Sequence, residues 1–472
     1  MHNRMLLAGA IALAIAAPPA RAASDADLDA IRAQIRDLKS DYEARIKALE
    51  DRLKAAETQA AEARKEAAEA KTAPPAPVAA TPAPPPPVAA GPSSPSSSLA
   101  AFNPAVSAIL NGQYANLSQD PDKFRLAGFQ PAPDAGPGKR GFSLGESELA
   151  FSANVDHKFS GNLIFSIQPD NHVEVEEAYG IFTGAPAGFT PKFGRFFSGL
   201  GYLNEQHAHA WDFIDAPLVY QAFLNNQYQT NGLQLTWVAP TDQFFMLGGE
   251  VGSGETFPGN DRDKNGAGSG VVFARLGGDV GYSNSWVAGL SYLETAARDR
   301  PSTLYDSTGN AVPFGFTGNS HVAAADFVWK WAPNGNPHET NFKLQGEYLW
   351  RKEDGDLSSG GAGLAIPASS SYSSRQSGWY LQGVYQFMPQ WRVGLRYDRL
   401  DSGSVDTGSY ASLFPATSFD PERATAMIDW SPSEFSRVRL QFAQAKLAPG
   451  LTDNEFFVQY ILSIGAHGAH KF

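Results

Sequence analysis

The sequence predicts an all-β fold: a sixteen-stranded antiparallel transmembrane β-barrel preceded by an α-helical coiled coil. Three observations predict it: the period of apolar residues over the last ~370 positions, the lengths of the connections between those stretches, and the aromatic residues beside the short connections. In 341–351, Phe342, Leu344, Gly346, Tyr348 and Trp350 share one face, while Asn341, Lys343, Gln345, Glu347 and Arg351 share the other with Leu349. The period recurs as Trp391, Val393, Leu395 and Tyr397 against Arg392, Arg396 and Asp398, and as Val438, Leu440 and Phe442 against Arg437, Arg439 and Gln441. A strand that crosses a bilayer needs about 9–11 residues with one lipid face and one lumen face, and these stretches have that pattern.

Taken in order, the chain begins with Arg4, an apolar run Met5–Ala17 and the small-x-small triplet Ala20-Arg21-Ala22, which predicts an export signal over 1–22. The run is too short for a spanning helix, which needs roughly 20 residues, and no apolar stretch of 18 residues occurs anywhere in the chain. Residues 23–71 lack Gly and Pro and place Leu28, Ile31, Ile35, Leu38, Tyr42, Ile46, Leu49, Leu53 and Ala56 at three- and four-residue steps, a heptad seam with one stutter. So narrow a stripe is buried by self-association, which predicts an oligomeric coiled coil. Residues 72–104 are a Pro/Ala/Ser-rich linker, extended and without a core of its own.

The barrel is expected over 105–472, with strands at 105–117, 142–155, 161–168, 172–183, 190–197, 228–238, 243–252, 270–281, 285–293, 320–331, 341–352, 376–386, 391–400, 423–430, 436–446 and 454–466. Their connections alternate long and short, with 169–171 the exception, as barrels with short periplasmic turns and long outer loops do. Trp237, Phe244, Tyr282, Trp286, Trp329, Trp331, Phe387, Trp391, Trp430 and Phe435 flank the short turns, where an interfacial belt belongs. The chain closes on an alternating strand and Phe472. The absence of Cys excludes a disulfide scaffold and thiolate metal sites, and a net charge of −12 argues against a nucleic-acid partner.

The stretch Pro191-Lys-Phe-Gly-Arg-Phe-Phe-Ser-Gly-Leu-Gly-Tyr-Leu-Asn-Glu-Gln-His207-Ala-His209-Ala-Trp-Asp-Phe213 resembles the strand and following loop of phosphate-selective porins, a resemblance that runs from about Ala105 to the end. It implies a sixteen-stranded trimeric barrel of the outer membrane, lined by basic residues, with a loop folded into the pore. The His-Ala-His loop and the Gly465-Ala-His-Gly-Ala-His470 tail are also similar to a subgroup often labelled zinc-regulated, TonB-dependent outer-membrane receptors. Receptors of that kind carry a globular plug before a 22-stranded barrel, whereas here a helix and a Pro-rich linker precede it.

The predicted lumen faces carry acids early (Glu146, Glu148, Glu174, Glu176) and cations later (Lys343, Arg351, Arg392, Arg396, Arg437, Arg439), with Arg275, Asp326, Glu347 and Asp398 among them. Opposed walls of this kind predict a channel for passive diffusion of small hydrophilic solutes or ions with weak selectivity. The alternatives are a specific uptake protein for zinc or phosphate and a tether of the envelope. The 198–227 connection is the expected constriction, and its Glu205, His207, His209, Asp212 and Asp215 are candidate Zn²⁺ ligands, with His207 and His209 foremost. Asp261, Asp263, Asn265 and Gly266 echo the start of a Ca²⁺ loop whose twelfth position would be Val272. Gly141-Phe-Ser143-Leu-Gly145 matches a nucleophile elbow only formally, since a strand follows it, and no enzyme activity is expected. Expected partners are outer-membrane lipids, solutes, further copies in a homotrimer, and peptidoglycan or a periplasmic protein through the coiled coil.

Overall fold

The computed structural model describes Lys47 and residues 104–465 apart from 133–134, 170, 307 and 360–366. The expected signal segment, coiled coil and most of the linker, like His467, His470 and Phe472, lie outside the described residues.

Seventeen strands form a single sheet: β1 (Ala105–Leu117), β2 (Gly141–Leu144), β3 (Ser147–Asn154), β4 (Phe159–Ile167), β5 (Val173–Phe182), β6 (Phe189–Phe197), β7 (Gln229–Val238), β8 (Phe244–Gly252), β9 (Ser269–Val280), β10 (Asn284–Tyr305), β11 (Ala311–Trp331), β12 (Asn341–Ser358), β13 (Ser369–Met388), β14 (Trp391–Asp406), β15 (Glu422–Ser433), β16 (Ser436–Ala448) and β17 (Leu451–Gly465). Apart from β2 and β3, neighbours in sequence pair antiparallel, and β17 returns to β1 with Ser107 opposite Gly465 and Leu117 opposite Glu455, so the sheet is closed. Both β2 and β3 pair with β1 and are two pieces of one stave, which makes sixteen staves. The stave breaks at Gly145, where a Cβ would collide with the Asn111 side chain.

Alternation sorts side chains between the two faces as expected. Leu290, Leu395, Leu233, Val272, Phe442 and Phe456 point outward and are exposed, while their neighbours Ser291, Arg396, Gln234, Val271, Gln441 and Glu455 point inward and are buried. A cylinder clad in large apolar side chains is stable only where hydrocarbon covers them. Aromatic rings border this band. Trp391 stacks on Trp430 near the short turns, and Tyr348–Trp350 and Trp379–Tyr397 pair near the opposite edge. From Phe342 to Trp350 the band covers on the order of 25–30 Å of strand, at roughly 3.3 Å per residue.

Strands β10 to β14 run well past this band, β10 over 22 residues and β11 over 21. Beyond the row Tyr292, Ala323, Trp350 and Ser377, the outer face turns polar with Glu294, His321, Lys352 and Arg375 aligned across four strands. Segments expected as parts of long loops (294–305, 311–319, 353–358, 369–375 and 401–406) are therefore extensions of the wall.

Candidate pore constriction

The 198–228 connection folds into the barrel as one inward loop, built around a buried helix α1 (Leu218–Leu224). Leu218, Val219, Tyr220, Ala222, Phe223 and Leu224 pack with Leu200, Leu203, Trp211 and Tyr228 against inward wall residues Val271, Phe273, Leu293, Val322, Leu349 and Leu400. Leu126 and Phe129 of the 118–140 connection join the same core. Each fully buried apolar side chain of this size stabilises the arrangement by about 1.5–3 kcal/mol.

Wall carboxylates receive the loop's backbone donors. Glu250 accepts from Ser198 Oγ (2.7 Å) and the Gly199 amide (2.8 Å). Glu347 accepts from the Tyr202 and Leu203 amides (3.1 and 2.9 Å) and from the Tyr220 and Tyr380 hydroxyls (2.8 and 2.6 Å). Gly201 sits at φ +74° in this close approach, and a Cβ there would overlap the Glu347 carboxylate and the Tyr220 hydroxyl. Burial, reinforced by Glu347, pushes the Tyr220 hydroxyl well above its ordinary pKa. The Asp398 carboxylate accepts from the Leu218 amide at the start of α1 (3.0 Å), and Arg351 donates to Ala222 O (2.9 Å) with its guanidinium over the Phe223 ring.

The loop's charges complement the wall that each faces. On the acid side, His207 Nε2 lies 3.0 Å from Glu177 Oε2, and its Nδ1 lies 3.2 Å from Glu176 Oε2 and 3.3 Å from Glu148 Oε2. His209 Nδ1 is 2.5 Å from Glu148 Oε1. Burial opposes the charged His207 ring, but these carboxylates outweigh it and raise its pKa well above the ordinary value. On the basic side, Asp212 pairs with Lys343 and with Arg392 (3.2 Å), and Asp215 pairs with Arg396 (3.0 Å) and Arg423. Asp398 and Asp429 complete the lattice, Asp398 with Arg396 (3.0 Å) and Asp429 with Arg392 and Arg439 (2.6 and 3.0 Å). Glu205 pairs with Arg275.

The five loop residues read as one candidate ligand set are thus divided: His207 and His209 face β3 and β5, Asp212 and Asp215 face β12 to β16, and Glu205 faces β9. The division follows from charge, because each side chain goes to the wall of opposite sign. Among the described residues, the group with metal-ligand proximity is instead Glu148, His207 and His209, with Glu146 and Glu176 beside it. Arg351, Arg396 and Arg439 point inward as expected but do not line open water. At 1, 3 and 1 % exposure they are sealed beneath the loop, correcting their reading as pore-lining. Lys343, Arg392 and Arg437 remain partly exposed, and Glu174 is exposed on the inward face.

Glu177 escaped the period-two reading. A register shift opposite Ile164/Phe165 places both Glu176 and Glu177 against His207, as a bulge does. Arg423 and Asp429 are absent from the lumen charges expected above, although the period of two places both on the inward face of β15 with Thr425 and Met427. Val272, the twelfth position of the Ca²⁺-like loop, lies on the outer face of β9.

No family model matches the chain. Solved structures with similarity to it include OmpT, an outer membrane protein of Vibrio cholerae (9 % identity, 77 % of this chain and 98 % of that one, TM-score 0.46). They also include the outer membrane channel DcaP of Acinetobacter baumannii (13 %, 78 and 99 %, 0.45) and an anion-selective porin from Comamonas acidovorans (11 %, 77 and 99 %, 0.45). Over 400 residues the chain is 31 % identical to an uncharacterized protein of Aquifex aeolicus, covering 79 % of this chain and 81 % of that protein. The chain belongs to the same family as that Aquifex aeolicus protein.

Proposed function

We propose that the chain is a porin-like channel of the bacterial outer membrane, passing small hydrophilic solutes or ions by passive diffusion, with the 198–228 loop as its constriction. The observation that carries this reading is the combination of an apolar outer band with an inward loop held between walls of opposite charge. Among the polar side chains that keep some exposure at the loop are Glu205, His207, Arg275, Lys343 and Arg392, and we assign the solute path to them.

Pairing argues for weak ion selectivity. Arg392, Arg396, Arg423 and Arg439 each meet an aspartate, so the basic wall offers a passing anion little net charge. A phosphate-selective pore would require more uncompensated cations than this arrangement presents. Self-association is supported by the heptad seam in 23–71, which needs partner helices to bury it, whether in a dimer or in the homotrimer expected from the porin resemblance.

Planar-bilayer recording tests the reading. The full chain gives small, stable, ohmic steps with a reversal potential near zero in a KCl gradient, and replacing Leu203–Leu224 by a short Gly/Ser linker enlarges the steps severalfold. No conductance from either protein overturns it.

A further inference from the structure

On the acid side of the loop, two overlapping sets of donors that share Glu148 meet, one with His207 and His209 and one with Glu146 and Glu176, the atoms of each within 4.8 Å of one another. We propose that Glu148, His207 and His209, with Glu176 as fourth ligand, bind one divalent transition-metal cation of the zinc class, pinning the loop to the acid wall. The loop supplies two imidazoles and the wall supplies the carboxylates.

Three observations converge on this site. The first is distance. A tetrahedral ion with bonds of about 2.0–2.1 Å holds its ligand atoms roughly 3.3–3.4 Å apart. His207 Nδ1 lies 3.3 Å from Glu148 Oε2 and 3.2 Å from Glu176 Oε2, and the donor atoms of Glu148, His207 and His209 all fall within 4.8 Å of one another. His209 Nδ1 approaches the other oxygen of Glu148 more closely, at 2.5 Å.

The second is the support around the ligands. A metal-bound imidazole donates its remaining ring N–H to a carboxylate or carbonyl, which fixes its tautomer and orientation. With Nδ1 of His207 toward the ion, Nε2 is left facing Glu177 Oε2 at 3.0 Å. The bulge in β5 therefore supplies a ligand and its supporting carboxylate from consecutive residues.

The third is charge. Glu148, Glu176 and Glu177 surround two imidazoles, so carboxylates outnumber imidazoles at a site that keeps only a narrow opening to solvent at His207. Glu146 Oε1 is buried and accepts no hydrogen bond. Uncompensated buried carboxylates are costly, and a bound dication removes most of that cost. The mix of imidazole and carboxylate favours zinc, cobalt or nickel over calcium and magnesium, which prefer shells of oxygen alone.

Binding is read without reference to conductance, so the test stands apart from the channel assignment. The full-length, untagged protein carrying His467→Ala and His470→Ala, which removes competing histidines, is titrated with Co²⁺ and Zn²⁺ at pH 7.5 in chelator-free detergent buffer. One equivalent per chain, with the intense visible bands of tetrahedral cobalt, is the expected result. Glu148→Gln, His207→Ala and His209→Ala each abolish those bands. Glu177→Gln keeps them but weakens affinity about 10–100-fold. His321→Ala, on the outer face, changes nothing. Heat-modifiable gel mobility reports folding, and should a histidine variant misfold, the cobalt spectrum of the parent and the Glu177→Gln shift still decide. Absence of stoichiometric cobalt binding, or equal binding by the His207→Ala/His209→Ala double variant, overturns the proposal and leaves His207 as an imidazolium clamp only.

Discussion

Asp212 and Asp215 fix how the basic side of the inward loop responds to acid. Burial alone would raise both carboxyls, but Lys343 and Arg392 around Asp212, and Arg423 and Arg396 around Asp215, hold them below the usual range. A depressed carboxyl contributes stability that is fully present above its unfolded value of about 3.9 and is lost only as pH falls through the lower folded value. Fluorescence of Trp211, buried beside this contact, is therefore expected to stay constant from pH 7 to 4 as far as these two groups determine it, and to change only in stronger acid. Substitution is harsher than titration. Asp215→Ala leaves Arg396 and Arg423 beneath the loop with Asp398 as a shared carboxylate, and breaking a buried pair in this way costs on the order of 3–5 kcal/mol. Urea unfolding in vesicles should show that loss, whereas Asp261→Ala, on an exposed loop, should be near neutral.

At the level of single elements, the outer faces change character along their length, and substitutions should follow. Leu395 is 69 % exposed within the apolar band, so Leu395→Arg is expected to destabilise the inserted barrel by about 2–4 kcal/mol. Arg399 lies on the same face of the same strand, beyond the aromatic border, where it pairs with Asp420 at 3.0 Å; Arg399→Ala is expected to cost under ~1 kcal/mol. Reversible unfolding into urea in thin-bilayer vesicles measures both. The same change of character explains what the sequence made legible. Every stave was visible where one face is apolar, as in Phe342–Trp350, because a period of two then has contrast. The extensions 294–305 and 353–358 lack that contrast because Glu294 and Asp354 face outward there, and alternation between two polar faces carries no signal. Helix α1 was hidden for the opposite reason. Leu-Val-Tyr-Gln-Ala-Phe-Leu is buried on all sides and shows no amphipathic stripe. The bulge at Glu176 defeated the site reading locally, while the tertiary meeting of Glu148 with His207 and His209 lies beyond any spacing rule.

For the molecule as a whole, the acid staves β3 and β5 and the basic staves β12 to β16 set up a transverse field, and the loop crosses it with histidines toward one side and aspartates toward the other. Asp212→Asn should consequently move the reversal potential toward anion preference by releasing Lys343, a shift readable in a KCl gradient. Deleting 23–98 should leave single-channel conductance unchanged; a fall in envelope integrity on that deletion, scored by detergent sensitivity of cells, would assign a tethering role to the segment in addition to the channel. The apolar filling of the barrel also bears on how the closed sheet holds together. Phe223, Leu224 and Tyr228 are enclosed by residues drawn from staves far apart in sequence, so their burial is complete only once β9 to β14 stand around them. Loosening that inner core, for instance by Phe223→Ala, is therefore expected to weaken the whole closed sheet, including the seam of Ser107–Leu117 against Glu455–Gly465, rather than the loop alone.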